Sequence, residues 1–198
     1  MPRGVAIPEL RQQLFAAAEQ VVVRDGPSRL SGRAVTGEAG VATGLLYAHF
    51  VDLDDFLAAY AVDRSFVISA EAAALPERSG TGSVVGNLCA AVLATPLVTV
   101  LALTRLLVSR PELAGRVRAV LGDETTGLDA IESAAATYLA EEQRLGRLTG
   151  SAEPSGLALA LVGVLHHLLL TAATEADVRA GIRRTITSLV RDYTAATA

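Results

Sequence analysis

One twenty-residue stretch constrains this chain more than any other: Ser31-Gly-Arg-Ala-Val-Thr-Gly-Glu-Ala-Gly-Val-Ala-Thr-Gly-Leu-Leu-Tyr-Ala-His-Phe50. It predicts a short helix from Gly32 to Ala39 that stops at Gly40 and restarts at once as a second short helix, from Ala42 to Ala48. Ser31 is placed to cap the first helix, because its hydroxyl accepts a bond from a free N–H of the first turn. Gly40 supplies the left-handed backbone that a tight corner needs. Ala39 is small enough for the two helices to approach closely, and Val35, Val41 and Leu46 are placed to fill the space between them.

The flanks support two further helices. Pro8 sits where proline is tolerated, at a helix start. Leu10, Leu14, Ala18 and Val22 then recur at helical period and form one apolar face. Asp25-Gly26-Pro27 ends that helix. After Phe50, Asp52 is expected to cap a longer helix from Leu53 to Ala74, with Asp54 and Asp55 in a first turn where the helix dipole favours negative charge. A tight pair of helices built this way presents the start of its second helix to a DNA major groove.

Hydrophobic residues make up 51% of the 198 residues and aromatics only 4%, so the apolar content is mostly Ala, Leu and Val. That balance favours helices over sheet. The expected class is all-α, and further helices are predicted at 83–95, 97–109, 112–121, 125–145, 156–171 and 175–194. Pro96 breaks the second of these from the first. The net charge of -4 does not decide the nucleic-acid question, because the position of the basic residues matters more than their sum. All 17 of them are Arg. The lone Cys89 can form no disulfide within the chain and reads as a buried thiol. The first residues, MPRGVAIPELRQQ, lack the apolar core of a signal peptide, which makes the cytoplasm the expected location. Val84 to Val108 and Gly156 to Ala173 are apolar enough to raise the question of a membrane. Asn87, Arg105 and the pair His166 and His167 interrupt them, and neither has an aromatic belt, so no membrane partner is expected.

The ordered set around the corner resembles the DNA-binding domain of the TetR family of bacterial regulators. The residues that carry the resemblance are Ser31, Ala39-Gly40-Val41, Thr43-Gly44 and Leu46-Tyr47-Ala48-His49-Phe50, continuing through Leu53-Asp54-Asp55-Phe56-Leu57. It covers about Leu10 to Tyr60. It implies a helix-turn-helix domain over residues 1–52 and a helical regulatory domain over 53–198 for ligand binding and dimerisation. It also implies a ligand-responsive transcriptional regulator, acting as a repressor, that binds a palindromic operator as a homodimer and is released by a small molecule. Residue by residue, Ser31 and Arg33 would approach the groove edge and backbone, Ala42, Thr43 and Gly44 would face base edges, and Tyr47 and His49 would meet phosphates.

Plainer readings stand beside these. Tyr47 also reads as a half-buried ring, His49 as a helix cap, Arg33 as a solvated charge, and Thr36 as a hydroxyl bonded back along its own helix. The chain departs from the family pattern in two ways. Leu53 and three Asp stand where the family often has a Lys, and the second short helix has no Arg, Lys, Asn or Gln for bidentate base contact. Arg3 and Arg11 are placed to add backbone charge.

Beyond Arg78 the resemblance is one of architecture. Gly156, Ala160 and Gly163 put small residues on one helix face, Leu161, Leu165, Leu168 and Leu169 supply apolar surface, and Ile182, Ile186, Leu189 and Val190 form a matching stripe. These predict a four-helix dimer interface at Gly156, Ala160, Gly163, Leu168, Ile182, Ile186 and Leu189, or else a stripe buried within one chain. Leu88, Val92, Leu103, Leu107, Tyr138 and His166 are the expected effector contacts, with plain core as the alternative for each. His166 and His167 project about 100° apart, which argues against a shared metal ion. No cofactor or metal is expected. No phosphate loop, nucleophile elbow or zinc-protease motif is present, so the chain is not expected to be an enzyme. The competing classes are a helical protein-interaction module that does not bind DNA, and an enzyme without a recognisable motif.

Overall fold

Helical spacing, caps and breakers lay out the chain in order. The computed structural model describes residues 7–122, 127–172 and 174–194. Ten α-helices lie among them: α1 (Ile7–Asp25), α2 (Gly32–Glu38), α3 (Thr43–Tyr47), α4 (Leu53–Ala73), α5 (Val84–Val92), α6 (Leu97–Ser109), α7 (Glu112–Leu121), α8 (Leu128–Arg144), α9 (Pro154–Thr171) and α10 (Glu175–Arg191). The all-α class is as predicted, and the expected boundaries differ by a few residues at several ends. The predicted start of the eighth helix, and Arg3, lie outside the described residues.

The local chemistry that starts each helix is visible. Ser31 accepts from the Ala34 N–H, Asp52 from Asp55 and Ser83 from Gly86. At α10 Thr174 and Asp177 form a reciprocal capping box. Pro96 separates α5 from α6, and the two bend by 65° at that break, so they do not run as one rod.

The predicted apolar face of α1 is buried to the last residue: Leu10, Leu14, Ala18 and Val22 all lie in the core. That core is continuous from Leu10 to Val190. α1 packs on α2 and on α6, α4 on α6, α7 and α8, and α9 on α8 and α10. Phe15, Phe50, Phe56 and Tyr60 meet where α1, the end of α3 and the start of α4 converge, with ring centroids 5.1–6.3 Å apart.

Beside this cluster α1 and α4 share a buried ion pair. Arg64 Nε lies 2.7 Å from Glu19 Oε1, with side chains only 11% and 7% exposed. Burial pushes the Glu19 carboxyl above its usual value, against the opposing pull of Arg64 and the Thr99 hydroxyl. Removing one partner of a buried pair strands the other charge, whereas replacing both with apolar groups is close to neutral. Arg64→Met is therefore expected to destabilise the fold by about 3–5 kcal/mol, and Glu19→Gln together with Arg64→Met to recover most of that loss, in denaturant titrations. The native state holds the Glu19 proton at pH values where the unfolded chain has released it, so stability falls as pH rises through the window above 4.5. In Arg64→Met that fall should extend to higher pH, because the opposing cation is gone.

Candidate functional site

The corner between α2 and α3 is built by backbone geometry. Gly40 adopts φ 67°, the left-handed region. Val41 N–H donates to Thr36 O at 2.9 Å and Gly40 N–H to Gly37 O at 3.2 Å, which together close the end of α2. Thr36 is buried, and its hydroxyl donates back to Gly32 O at 2.8 Å, the plainer of its two readings. The same hydroxyl lies 3.2 Å from Thr43 Oγ1, which ties the start of α3 to α2. Leu46 and Phe50 anchor the underside of α3 in the core.

The outer surface holds the predicted contact residues. Ser31, Arg33, Ala42, Thr43, Gly44 and Tyr47 are all exposed, and His49 is half-buried. Arg33 has no ion-pair partner among the described residues. Tyr47 is 50% exposed and its ring lies over the start of α2: a methyl group placed on Gly32 would fall 2.5 Å from the tyrosine hydroxyl. No described residue hydrogen-bonds the His49 ring. Arg11 was expected to add backbone charge. It is exposed, and its guanidinium lies over the Phe50 and Phe15 rings, 5.2 Å and 5.8 Å from their centroids. The acidic run after Phe50 has local work. Asp52 caps α4, Asp55 accepts from Val51 N–H, and Asp54 pairs with Arg110 at 2.6 Å, joining the start of α4 to the end of α6.

No family model matches the sequence, and no curated protein matches it. Solved structures do. A TetR-family regulator from Thermus thermophilus, PfmR, superposes with a TM-score of 0.66 at 14% identity, over 90% of this chain and 97% of that one. The fatty acid degradation regulator FadR from Bacillus halodurans gives 0.65 at 16% identity, over 95% and 97%. SmeT, the repressor of a Stenotrophomonas maltophilia multidrug efflux pump, gives 0.61 at 18% identity, over 93% and 90%. The fold is that of the TetR-family regulators. Its helix-turn-helix is α2, the corner and α3, and α4 to α10 form the larger helical part.

Within this TetR fold the six expected effector contacts divide. Leu103, Leu107 and His166 come together at an open cavity of 420 Å³ between α6, α7, the start of α8 and α9. Thr104, Arg118, Asp129, Leu159 and Val162 also line it, and sequence reasoning missed them because they come from four different helices. Burial pushes the Asp129 carboxyl up, with Arg118 pulling the other way. Leu88 is buried and borders a gap of 10 Å³ between α5, α8, α9 and α10. Val92 is core. Tyr138 is buried with its hydroxyl accepting from Asn87 Nδ2 at 3.0 Å, a tie between α8 and α5.

The expected dimer residues divide too, and two need correction. Ile182 and Ile186 are 2% and 1% exposed, so both are core residues of a single chain. Leu161, Leu165, Leu169 and Val190 are buried as well. Leu168 and Leu189 are half-buried. Leu168 seats against Gly181, where an added methyl would lie 2.7 Å from its Cδ1, so these side chains close α9 onto α10 within the chain. What stays outside is the other face of α9: Gly156, Leu159, Gly163, His167 and Leu170 are exposed, with Ala160 half-buried among them. Gly156 has a local reason to be small, since Glu153 caps its N–H and a methyl there would meet that carboxylate.

Two glycines in α2 and its corner separate conformation from packing, since an added methyl meets nothing within 4 Å at Gly37 or Gly40. Gly40→Ala should cost about 1 kcal/mol through its left-handed backbone. Gly37→Ala, in helical backbone, should gain about 0.5–1 kcal/mol. Paired thermal melts read both signs.

Proposed function

We propose that this chain is a ligand-responsive transcriptional regulator. In this reading residues 1–52 bind operator DNA and residues 53–198 form the regulatory domain. The observation that carries it is the surface of α2 and α3. Its inner side is fixed by Leu46, Phe50 and the Thr36–Thr43 contact, while Ser31, Arg33, Ala42, Thr43, Gly44 and Tyr47 stand on one exposed face. A helix of this size enters a major groove by its first residues. Ala42, Thr43 and Gly44 then face the base edges. Without long polar side chains there, readout rests on the Thr43 hydroxyl and on apolar contact with thymine methyl groups. Arg33, Tyr47 and His49 meet phosphates and set the register.

The regulator acts as a homodimer, and a palindrome follows from its two-fold symmetry. The support is α9: its sequence is mostly apolar, yet only 28% of its residues are buried in one chain. The exposed face of Gly156, Leu159, Ala160, Gly163 and Leu170 combines small and apolar side chains, which suits close packing on a second copy. The two recognition helices would then stand about 34–36 Å apart, or a multiple of that distance. The effector occupies the cavity at Leu103, Leu107 and His166. It acts by binding the DNA-free state more tightly than the DNA-bound one. Repression follows from occupancy of a promoter, which needs no additional contact surface. The chain works in the cytoplasm and without catalysis in this reading.

Footprinting on the DNA flanking its own gene, with and without added small molecules, is the direct test. Binding should weaken with salt. Arg33→Ala should lower the slope of log affinity against log salt by about one and weaken all sequences alike, whereas Thr43→Ala should relax sequence preference. A flat salt slope, or unchanged binding in both variants, would leave the protein-interaction module as the better reading. Leu170, which is 41% exposed on this face and apart from the effector cavity, is the residue to charge for the dimer. Leu170→Glu should sediment as a monomer while its thermal midpoint in dilute solution stays near that of the parent's monomeric fraction.

A further inference from the structure

α6 has a single charged residue, Arg105, in the apolar run LVTVLALTRLLVS. The cavity proposed for the effector touches the side of the helix that carries Leu103, Thr104, Leu107 and Val108. Leu97, Leu101 and Arg105, four residues apart, line a different cleft of 400 Å³. Its other walls come from the end of α1, the end of α9 and the start of α10, with Leu169 and Val178 the main apolar groups. So α6 separates two cavities, and the second lies at the joint between α1 and the regulatory helices.

The polar groups of this second cleft are not equally free. Glu175 lines it, and its Oε1 is already held by Arg179, at 2.8 Å from Nε and 2.7 Å from the terminal nitrogen. Thr174 is committed to Asp177 in the capping box. Arg105 is half-buried, and its guanidinium donates to Val23 O at 3.0 Å. That carbonyl belongs to the last turn of α1, where no helical partner is available to it. A guanidinium carries five N–H donors. Among the described residues only the Val23 carbonyl is bonded to it. The cleft thus offers one cation with unused donors against apolar walls, in a volume suited to a small ligand.

We propose that this cleft is a second ligand site, distinct from the effector cavity, that takes an amphipathic anion: a carboxylate on Arg105 and an apolar body against Leu97, Leu101, Leu169 and Val178. A carboxylate is a stronger acceptor for a guanidinium than a backbone carbonyl is. It is held by donors that Val23 O leaves unused, and so seats the ligand against the joint between α1 and α6.

Calorimetric titration with 4-phenylbutyrate tests this without DNA, so its failure is separate from any failure of the regulator reading. The expected result is saturable binding of one molecule per chain. 4-Phenylbutanol and 4-phenylbutylamine should bind at least about tenfold more weakly, which is the scale of a charge-assisted hydrogen bond. Arg105→Met keeps the apolar wall and should lose affinity for 4-phenylbutyrate by a similar factor. Val98→Trp, which fills the cleft and leaves Arg105 in place, should do the same and covers the case in which the arginine variant does not fold. Ala114→Trp narrows the other cavity and should leave binding unchanged. The proposal is overturned if 4-phenylbutyrate does not bind, if the alcohol or amine binds as well as the acid, if a folded Arg105→Met or Val98→Trp binds it like the parent, or if Ala114→Trp abolishes binding.

Discussion

The four-ring cluster of Phe15, Phe50, Phe56 and Tyr60 is the contact on which the rest of the molecule depends. It joins α1 to the segment after α3 and the first turns of α4, more than thirty residues further along the chain. A five-residue helix such as α3 has no stability of its own in water, because nucleation outweighs the few hydrogen bonds it makes. Its position is imposed from below by Leu46 and from its end by Phe50. Two cations close the cluster: Arg11 lies over Phe15 and Phe50, and Arg64 lies 5.5 Å from the Phe15 centroid and 5.8 Å from that of Tyr60. A chain with so few aromatic residues has concentrated half of its eight Phe and Tyr at this one joint.

Polar ties among α1, α4 and α6 surround that joint. Glu19 meets Arg64 on α4, Val23 O meets Arg105 on α6, and Asp54 at the start of α4 meets Arg110 at the end of α6. α6 is therefore mechanically central. One side lines the cavity shared with α7, α8 and α9, another lines the cleft at Arg105, and its end is tied to the start of α4. Anything that shifts α6 pulls on contacts that hold α1 and α4. Because those contacts are few and directional, they can be exchanged for others without disturbing the apolar packing beneath them.

The α2–α3 corner was legible in the sequence because its determinants are local. Ser31 caps within three residues, Gly40 turns within one, and Leu46 and Phe50 point inward by helical period alone. The acidic residues after Phe50 were legible as helix-start chemistry, but the pairing of Asp54 with Arg110 was not, since 56 residues separate the two. The effector contacts were harder. Leu88, Val92 and Tyr138 have the same apolar or amphipathic character as Leu103, Leu107 and His166, and only their positions distinguish core from cavity wall. The stripes on α9 and α10 misled for a related reason. An apolar stripe says that a face is covered and leaves open what covers it, and for Ile182 and Ile186 the cover is the chain itself.

The sequence by itself determined the all-α class, the helix boundaries to within a few residues and the sharp corner between two short helices, because propensity, capping and the left-handed glycine act over one to four residues. Tertiary structure alone decided which apolar faces meet within the chain and which face of α9 is left open. It also decided that Arg11, though exposed, lies over the Phe15 and Phe50 rings, and that Arg105 stands in a cleft at the end of α1. These outcomes depend on distances between residues tens of positions apart. Packing sets those distances, and no local pattern encodes them.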